Sequence, residues 1–257
     1  MPEGVEVKLM TLRLKRLILG SKLRRIQVVS GKYLKQPFAA SSGIKSHCGE
    51  ITEVNSKGKL SWWKVNNVYI TFALGLTGFW SQSPTKWSRV QFTFNDVTVY
   101  LNDIRNFATI KFLSRDDFKH KLAKLGPDMF SKKFTLEGFR VRLSKNIAAD
   151  LLSQKVVAGP GTYIISEALY FAKVSPERDS ISLTSAEIKR IYQNIIKIAE
   201  KSYTANSFIS ADLTNDIKYV NKFEFSIYGK KVDKNGNKVK KFNASGRNIS
   251  WVPDVQR

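Results

Sequence analysis

A chain of 257 residues with 43 Lys and Arg against 21 Asp and Glu carries a formal charge of +22 at pH 7, an excess that solubility does not need and that points to a polyanionic partner, nucleic acid first. With 42% hydrophobic and 12% aromatic residues the charge sits on a chain able to bury a core, which excludes a disordered basic tail, and the length makes two domains the expectation. No run approaches the roughly 20 apolar residues of a transmembrane helix, so no membrane partner is expected.

Residues 7–19 interleave Lys8, Arg13, Lys15 and Arg16 with Leu, Met and Ile at helical spacing, an amphipathic helix and not a secretory signal. After Gly20 the pattern changes to β-branched and aromatic runs at 25–30, 50–55, 61–65, 68–73, 88–95 and 97–101, which read as strands. Asn66-Asn67 and Asn95-Asp96 lie between paired runs and suit tight hairpins, because both residue types tolerate left-handed backbone. An antiparallel sandwich or barrel is therefore expected over residues 20–113. From Asp116 the period turns helical, with Phe118, Leu122 and Leu125 on one face and Gly126-Pro127 as the stop.

In the second half, after a stretch at 135–141, two helices read at 147–152 and 163–172, joined by Val156-Val157-Ala158-Gly159-Pro160-Gly161. A helix that starts after such a turn points its free N–H groups outward, where a backbone phosphate is the natural ligand; an ordinary helical hairpin reads equally well. A long helix at 185–203, capped by Thr184 or Ser185, packs Ile188, Ile191, Ile195, Ile196 and Ile198. Residues 223–228 alternate like a strand and lead into a basic hairpin, where Lys230, Lys231, Lys234, Lys238, Lys240 and Lys241 flank Asn235-Gly236. Arg247 follows near a turn as a candidate phosphate clamp. The fold class expected is α+β, with an amino-terminal catalytic domain at 1–125, a helical domain at 126–222 and a terminal hairpin at 223–257.

Removal of Met1 would leave Pro2 as the free amino terminus. An α-amino group titrates near pH 8, so part of it is unprotonated at neutral pH and able to attack an aldehyde-like carbon. Glu3 beside it is a candidate general acid and base. The bland alternative is a frayed terminus. The lone Cys48 excludes an intrachain disulfide and fits a reducing, intracellular compartment; with only His47 and His120 it makes no metal site.

Taken in chain order, Pro2-Glu3-Gly4-Val5-Glu6, Leu74-Gly75-Leu76-Thr77-Gly78, Leu125-Gly126-Pro127-Asp128, the stretch 152–167 and Gly246-Arg247 resemble formamidopyrimidine-DNA glycosylase and endonuclease VIII over the whole chain. The resemblance implies a β-sandwich, a helix-two-turn-helix domain, and a monomeric enzyme without cofactor that acts on damaged DNA, duplex or single-stranded. It implies that Pro2 attacks C1′ to form a Schiff base, that Glu3 is the acid and base, that Glu6 supports them, and that Lys59, with Lys57 as rival, assists at the phosphate. It also implies that Leu76, Arg105 and Phe107 enter the duplex, that Gly161, Thr162 and Arg247 meet phosphates, and that Glu167 continues the helix motif.

Three departures from the family stand out. Asn106 occupies the place of an arginine, which leaves opposite-base preference open. Thr162 replaces an asparagine. The four zinc cysteines are missing, as in the metal-free "zincless finger" of some viral, eukaryotic and plant relatives, so no metal is expected. The Pro2-Glu3-Gly4 opening and the metal-free finger incline the reading to oxidised pyrimidines and hydantoins over 8-oxoguanine, with the specificity loop expected at 207–221. A non-catalytic DNA-binding relative stays as the alternative. A metal-dependent nuclease is disfavoured by sparse, scattered carboxylates.

Overall fold

The computed structural model describes residues 2–35, 47–207 and 222–257. The chain divides into two compact units, one built from Met1–Ala123 and the other from Lys124–Ala205 and Lys222–Arg257.

In the first unit α1 (Gly4–Ile18) turns Val7, Met10, Leu14 and Ile18 toward the core at the three- and four-residue spacing of a single helical face. It ends where Leu19 goes extended and Gly20 takes φ 80°. A five-stranded antiparallel sheet has the order β1 (Lys22–Leu23), β3 (Gly49–Lys57), β4 (Leu60–Val65), β5 (Val68–Ala73), β9 (Thr109–Leu113). A four-stranded sheet has the order β2 (Arg25–Val28), β7 (Ser88–Thr93), β8 (Thr98–Asp103), β6 (Gly78–Ser81).

Inward residues of both sheets share one core around Trp63, whose ring lies 4.5 Å from Phe72, 5.2 Å from Trp80 and 4.9 Å from Phe92. Such tilted and edge-on pairs add about 0.5–1.5 kcal/mol each beyond their burial. The Asn66-Asn67 hairpin forms with Val65 paired to Val68 and Asn66 at φ 51°. Asn95-Asp96 turns between Phe94 N–H and Val97 C=O. A short helix α2 (Lys32–Lys35) follows β2, and α3 (Arg115–Ala123) stacks Phe118 on Tyr69 at 3.9 Å. Leu125, expected on that helical face, lies beyond its end.

The second unit carries α4 (Leu136–Arg140), α5 (Ile147–Leu152), α6 (Thr162–Ala172) and α7 (Ser185–Ser207), with caps at Thr135, Asn146 and Thr184. Thr184 and Glu187 form a capping box, each side chain bonding the other's backbone N–H. Ile188, Ile191, Ile195 and Ile198 are the buried face of α7, while Ile196 is half-buried. No helix among the described residues is long and apolar enough to cross a membrane.

Two expectations for the carboxy-terminal segment are corrected. Residues 223–228 form no strand, because the N–H groups of Ser226, Ile227 and Tyr228 bond the Glu167 carboxylate instead of a neighbouring strand. Asn235-Gly236 closes a small loop with one bridge, Val232 to Lys238, gathered around Asp233. The true ladder pairs β10 (Lys240–Ala244) with β11 (Arg247–Trp251) and turns at Ser245-Gly246, both at positive φ.

Candidate functional site

From Glu3 onward the chain is held by α1. Glu3 is the N-cap of α1 and is 1% exposed, and its backbone N–H donates to Glu6 Oε2 at 2.7 Å. The Glu3 carboxylate reciprocates toward the Glu6 N–H, which closes a capping box. Both carboxylates sit in the first turn, where the helix dipole favours negative charge. Pro2 stands half-buried immediately ahead of this pair.

α1 packs against β3 and β4, whose connecting turn is Gly58-Lys59, with Lys57 paired to Leu60. Gly58 has φ 56° and Lys59 does not share it, the arrangement of a type II′ hairpin with Gly first. The Nζ of Lys59 is shielded from solvent. The rival Lys57 turns its ammonium toward α3 and donates to Leu122 C=O at 3.2 Å. Of the two lysines, Lys57 is thus engaged with the protein's own helix end.

The loops 74–78 and 103–108 are tied together by Asp103, which is fully buried. Its carboxylate accepts from the Thr77 hydroxyl, from Arg105 N–H at 3.2 Å and from Ala108 N–H at 2.6 Å. Arg89 braces the same loop from behind through the carbonyls of Asp103 and Ile104, and Tyr33 pins its far end through Ala108 C=O and Ile110 N–H. Burial pushes the Tyr33 hydroxyl above its usual range, against the Ile110 N–H that favours ionisation. What this frame presents is apolar: Phe107 is 51% and Ile104 50% exposed, Leu76 is half-buried, and the Arg105 guanidinium lies 5.1 Å over the Phe107 ring.

Gly75, at φ 63°, passes so close that an added Cβ would stand 3.1 Å from the Phe107 Cβ. Asn106 takes φ 58° and rests its amide against Gly31, where a Cβ would meet its Oδ1 at 2.7 Å. That backbone region suits Asn better than a longer side chain, which gives the departure at 106 a local cause.

In the second unit Gly161 is the N-cap of α6 and Thr162 its first residue, 8% exposed, with its hydroxyl donating to Tyr228 Oη at 3.4 Å. Ser166 donates to Thr162 C=O and accepts from Ser250 N–H of β11. Glu167, buried, takes the three N–H groups of 226–228 at 2.9 Å each. The sequence singled out Glu167 only as a continuation of a motif; no spacing signal shows which backbone it serves. Tyr170 donates to Asp233 at 3.0 Å, and burial, then Asp233, pushes its hydroxyl up to about 12. Arg247 is exposed at the start of β11.

Asp103, Arg89 and Tyr33 carried no role in the sequence reading; the approach of Asp103 to the Gly75 loop is a tertiary fact. Among the described residues no group of three or more His, Cys, Asp or Glu is placed to hold a metal ion. His47 stacks on Phe112 at 4.8 Å, and burial lowers its imidazole below the ordinary range. The specificity loop expected at 207–221 lies, apart from Ser207, outside the described residues.

Two family models match the chain: the formamidopyrimidine-DNA glycosylase N-terminal domain over residues 1–110 and the formamidopyrimidine-DNA glycosylase H2TH domain over 125–212. The formamidopyrimidine-DNA glycosylase of Thermus thermophilus is 32% identical over 204 residues, 77% of this chain and 74% of that protein. That of Bacillus cereus is 27% identical over 273 residues, 100% and 99% of the two. The crystal structure of MutM (Fpg) from Thermus thermophilus superposes with a TM-score of 0.85 at 26% identity, covering 99% and 98% of the two chains. The Lactococcus lactis Fpg in complex with abasic-site DNA shares the fold, with a TM-score of 0.84 at 22% identity over 99% of each chain. The chain belongs to the formamidopyrimidine-DNA glycosylase family and is a DNA glycosylase of that type.

Proposed function

We propose that this protein is a bifunctional DNA glycosylase and AP lyase of base excision repair that works through a Schiff base on Pro2. The observation that carries the reading is the capping box directly behind Pro2, which holds Glu3 and Glu6 buried at the head of α1. The box fixes a carboxylate in the residue next to Pro2, which an acid and base serving that nitrogen requires.

In this mechanism the neutral Pro2 nitrogen attacks C1′ of the damaged nucleoside as the C1′–N bond to the base breaks and the base leaves with its electron pair. The departing base takes a proton from water, the proton shed by the Pro2 nitrogen after attack passes to the Glu3 carboxylate, and Glu3 delivers it to the ring oxygen as the C1′–O bond breaks and the sugar opens, giving an iminium at C1′. Loss of a C2′ proton then expels the 3′ phosphate, a second elimination expels the 5′ phosphate, and water releases the sugar fragment from Pro2. Lys59 meets the phosphate, and Leu76, Phe107 and the Arg105 stacked on it fill the space left when the nucleotide is extruded, a step that costs a few kcal/mol. Gly161, Thr162 and Arg247 hold the backbone, and Glu6 and Glu167 position these groups.

The carboxy-terminal hairpin serves as a metal-free finger, supported by the bonds to Glu167, Ser166 and Asp233 that anchor it. The same reading carries a monomeric enzyme acting inside the cell. The substrates proposed are oxidised pyrimidines and hydantoins. The names of the matched relatives favour formamidopyrimidine as a second reading. Base release from duplex and single-stranded oligonucleotides carrying thymine glycol, a hydantoin, formamidopyrimidine or 8-oxoguanine ranks the two. The proposal expects pyrimidine lesions and hydantoins first and loss of release in Glu3→Gln. Equal release by Glu3→Gln would overturn the role of Glu3.

A further inference from the structure

We propose that the second unit holds a further DNA-phosphate cleft, distinct from the turn before α6, in which Arg142, Lys145 and Lys155 join Arg247 on a backbone phosphate flanking the damaged nucleotide. A cleft of about 430 Å³ is lined by these four cations together with Ser144, Ser153 and Ser245. They come from four places in the chain: the residue after the α4 cap, the loop before α5, the connector to α6, and the tip of the β10–β11 hairpin. All four are exposed, and none makes an ion pair with a carboxylate among the described residues.

The one acid in the wall, Asp150, is buried and held by the protein itself. Its Oδ2 accepts from Ser144 N–H, Lys145 N–H and the Ser180 hydroxyl at 2.8–2.9 Å, and its Oδ1 from the Ser144 hydroxyl at 3.5 Å. Its bonds hold the Ser144-Lys145 backbone against α5 and so shape the cleft without cancelling it. Arg142 also donates to Gly138 C=O, yet four cations beside one buried carboxylate leave the cleft with a net excess of positive charge. A concave site lined by charge of one sign concentrates counter-ions of the other, and hydroxyls beside guanidinium and ammonium groups match the acceptors of a phosphodiester. The inference rests on the glycosylase reading for its choice of DNA as the source of the phosphate.

The test is the salt dependence of binding of the untagged full chain to a duplex carrying an abasic-site analogue, measured by fluorescence anisotropy. The wild type is set beside Arg142→Ala/Lys145→Ala and beside Arg140→Ala/Lys133→Ala, which removes the same charge from exposed positions outside the cleft. Loss of one phosphate contact lowers the magnitude of the slope of log K against log salt by about 0.9, which is roughly an eightfold weakening at about 0.1 M that disappears near 1 M. The cleft pair is expected to show that change and the control pair less than half of it. Equal slopes in wild type and cleft pair, or the same loss in both pairs, overturns the proposal. Borohydride trapping on an abasic site runs alongside: an adduct in both variants at saturating protein leaves the glycosylase reading standing whatever the slopes show. Absence of an adduct in the wild type removes that reading while the slopes still decide the cleft.

Discussion

Replacing Glu167 by Gln tests whether one buried carboxylate holds the approach to the hairpin. Oε1 accepts from Ile227 and Tyr228 and Oε2 from Ser226, all at 2.9 Å. The amide keeps one acceptor but turns an NH2 toward a buried donor and removes the charge from the other two bonds. An unsatisfied buried donor costs about 1–3 kcal/mol, and each of the two bonds that lose a charged acceptor about 1 kcal/mol more, so the sum is about 3–5 kcal/mol. At about 2–4 °C per kcal/mol for a chain of this size, the transition of the second unit falls by about 6–20 °C. Hydrogen exchange at 226–228 should accelerate first, since those amides lose their acceptor, and the Thr162–Tyr228 contact should loosen with them. Thermal unfolding followed by calorimetry, with exchange read by mass spectrometry, decides it. A transition lowered by less than about 2 °C with unchanged protection at 226–228 would refute the assignment of Glu167 as the anchor.

Glu6→Ala removes the acceptor for Glu3 N–H and should cost about 1 kcal/mol in stability, yet slow adduct formation at an abasic site far more than that loss implies. Equal effects on stability and rate would reduce the capping box to a structural device. Asp103→Asn keeps the oxygen shared by Thr77 and Arg105 but turns an NH2 toward the Ala108 N–H and removes the charge, and should weaken binding to lesion duplex about tenfold or more, while processing of a single-stranded abasic site persists; an unchanged duplex affinity contradicts the bracing role. Tyr170 is raised from 10.0 to about 12 by burial and by Asp233. The unfolded chain therefore ionises first, so the stabilisation is complete below pH 10 and is lost as pH rises toward 12. Tyr170→Phe should flatten that alkaline loss in urea melts, and identical slopes in both proteins would contradict it.

Local signals carried the elements whose stability is local. Asn66-Asn67 and Asn95-Asp96 marked their hairpins because turn and strand pairing are settled within a few residues, although only Asn66 takes the positive φ that the sequence argument invoked. The 3.6-residue spacing of Ile188, Ile191, Ile195 and Ile198 did the same for α7. β6 and β9 were missed as separate strands. Gly78–Ser81 is short and sits beside a glycine loop, and Thr109–Leu113 gains its ladder only by reaching back to β5. The alternation at 223–228 misled for the opposite reason: its period is that of a strand, but its donors are claimed by Glu167 some sixty positions earlier. At the candidate site, motif and chemistry singled out Pro2, Glu3, Glu6, Lys59 and Arg247. Asp103, Arg89, Arg142, Lys145 and Lys155 were not singled out, because only the tertiary fold brings 77 to 103 and 142 to 247.

The central claim is that Pro2 is the nucleophile, and mapping the covalent link tests it most directly. Untagged protein is reduced with borohydride on an abasic oligonucleotide, digested, and the cross-linked peptide is sequenced by mass spectrometry, with Pro2→Gly and Lys59→Ala alongside. The account predicts one adduct on the nitrogen of Pro2, with Met1 absent, and the same link at residue 2 in Lys59→Ala. An adduct on Lys59 or another lysine, or none at all on an abasic site that the protein binds tightly, contradicts it.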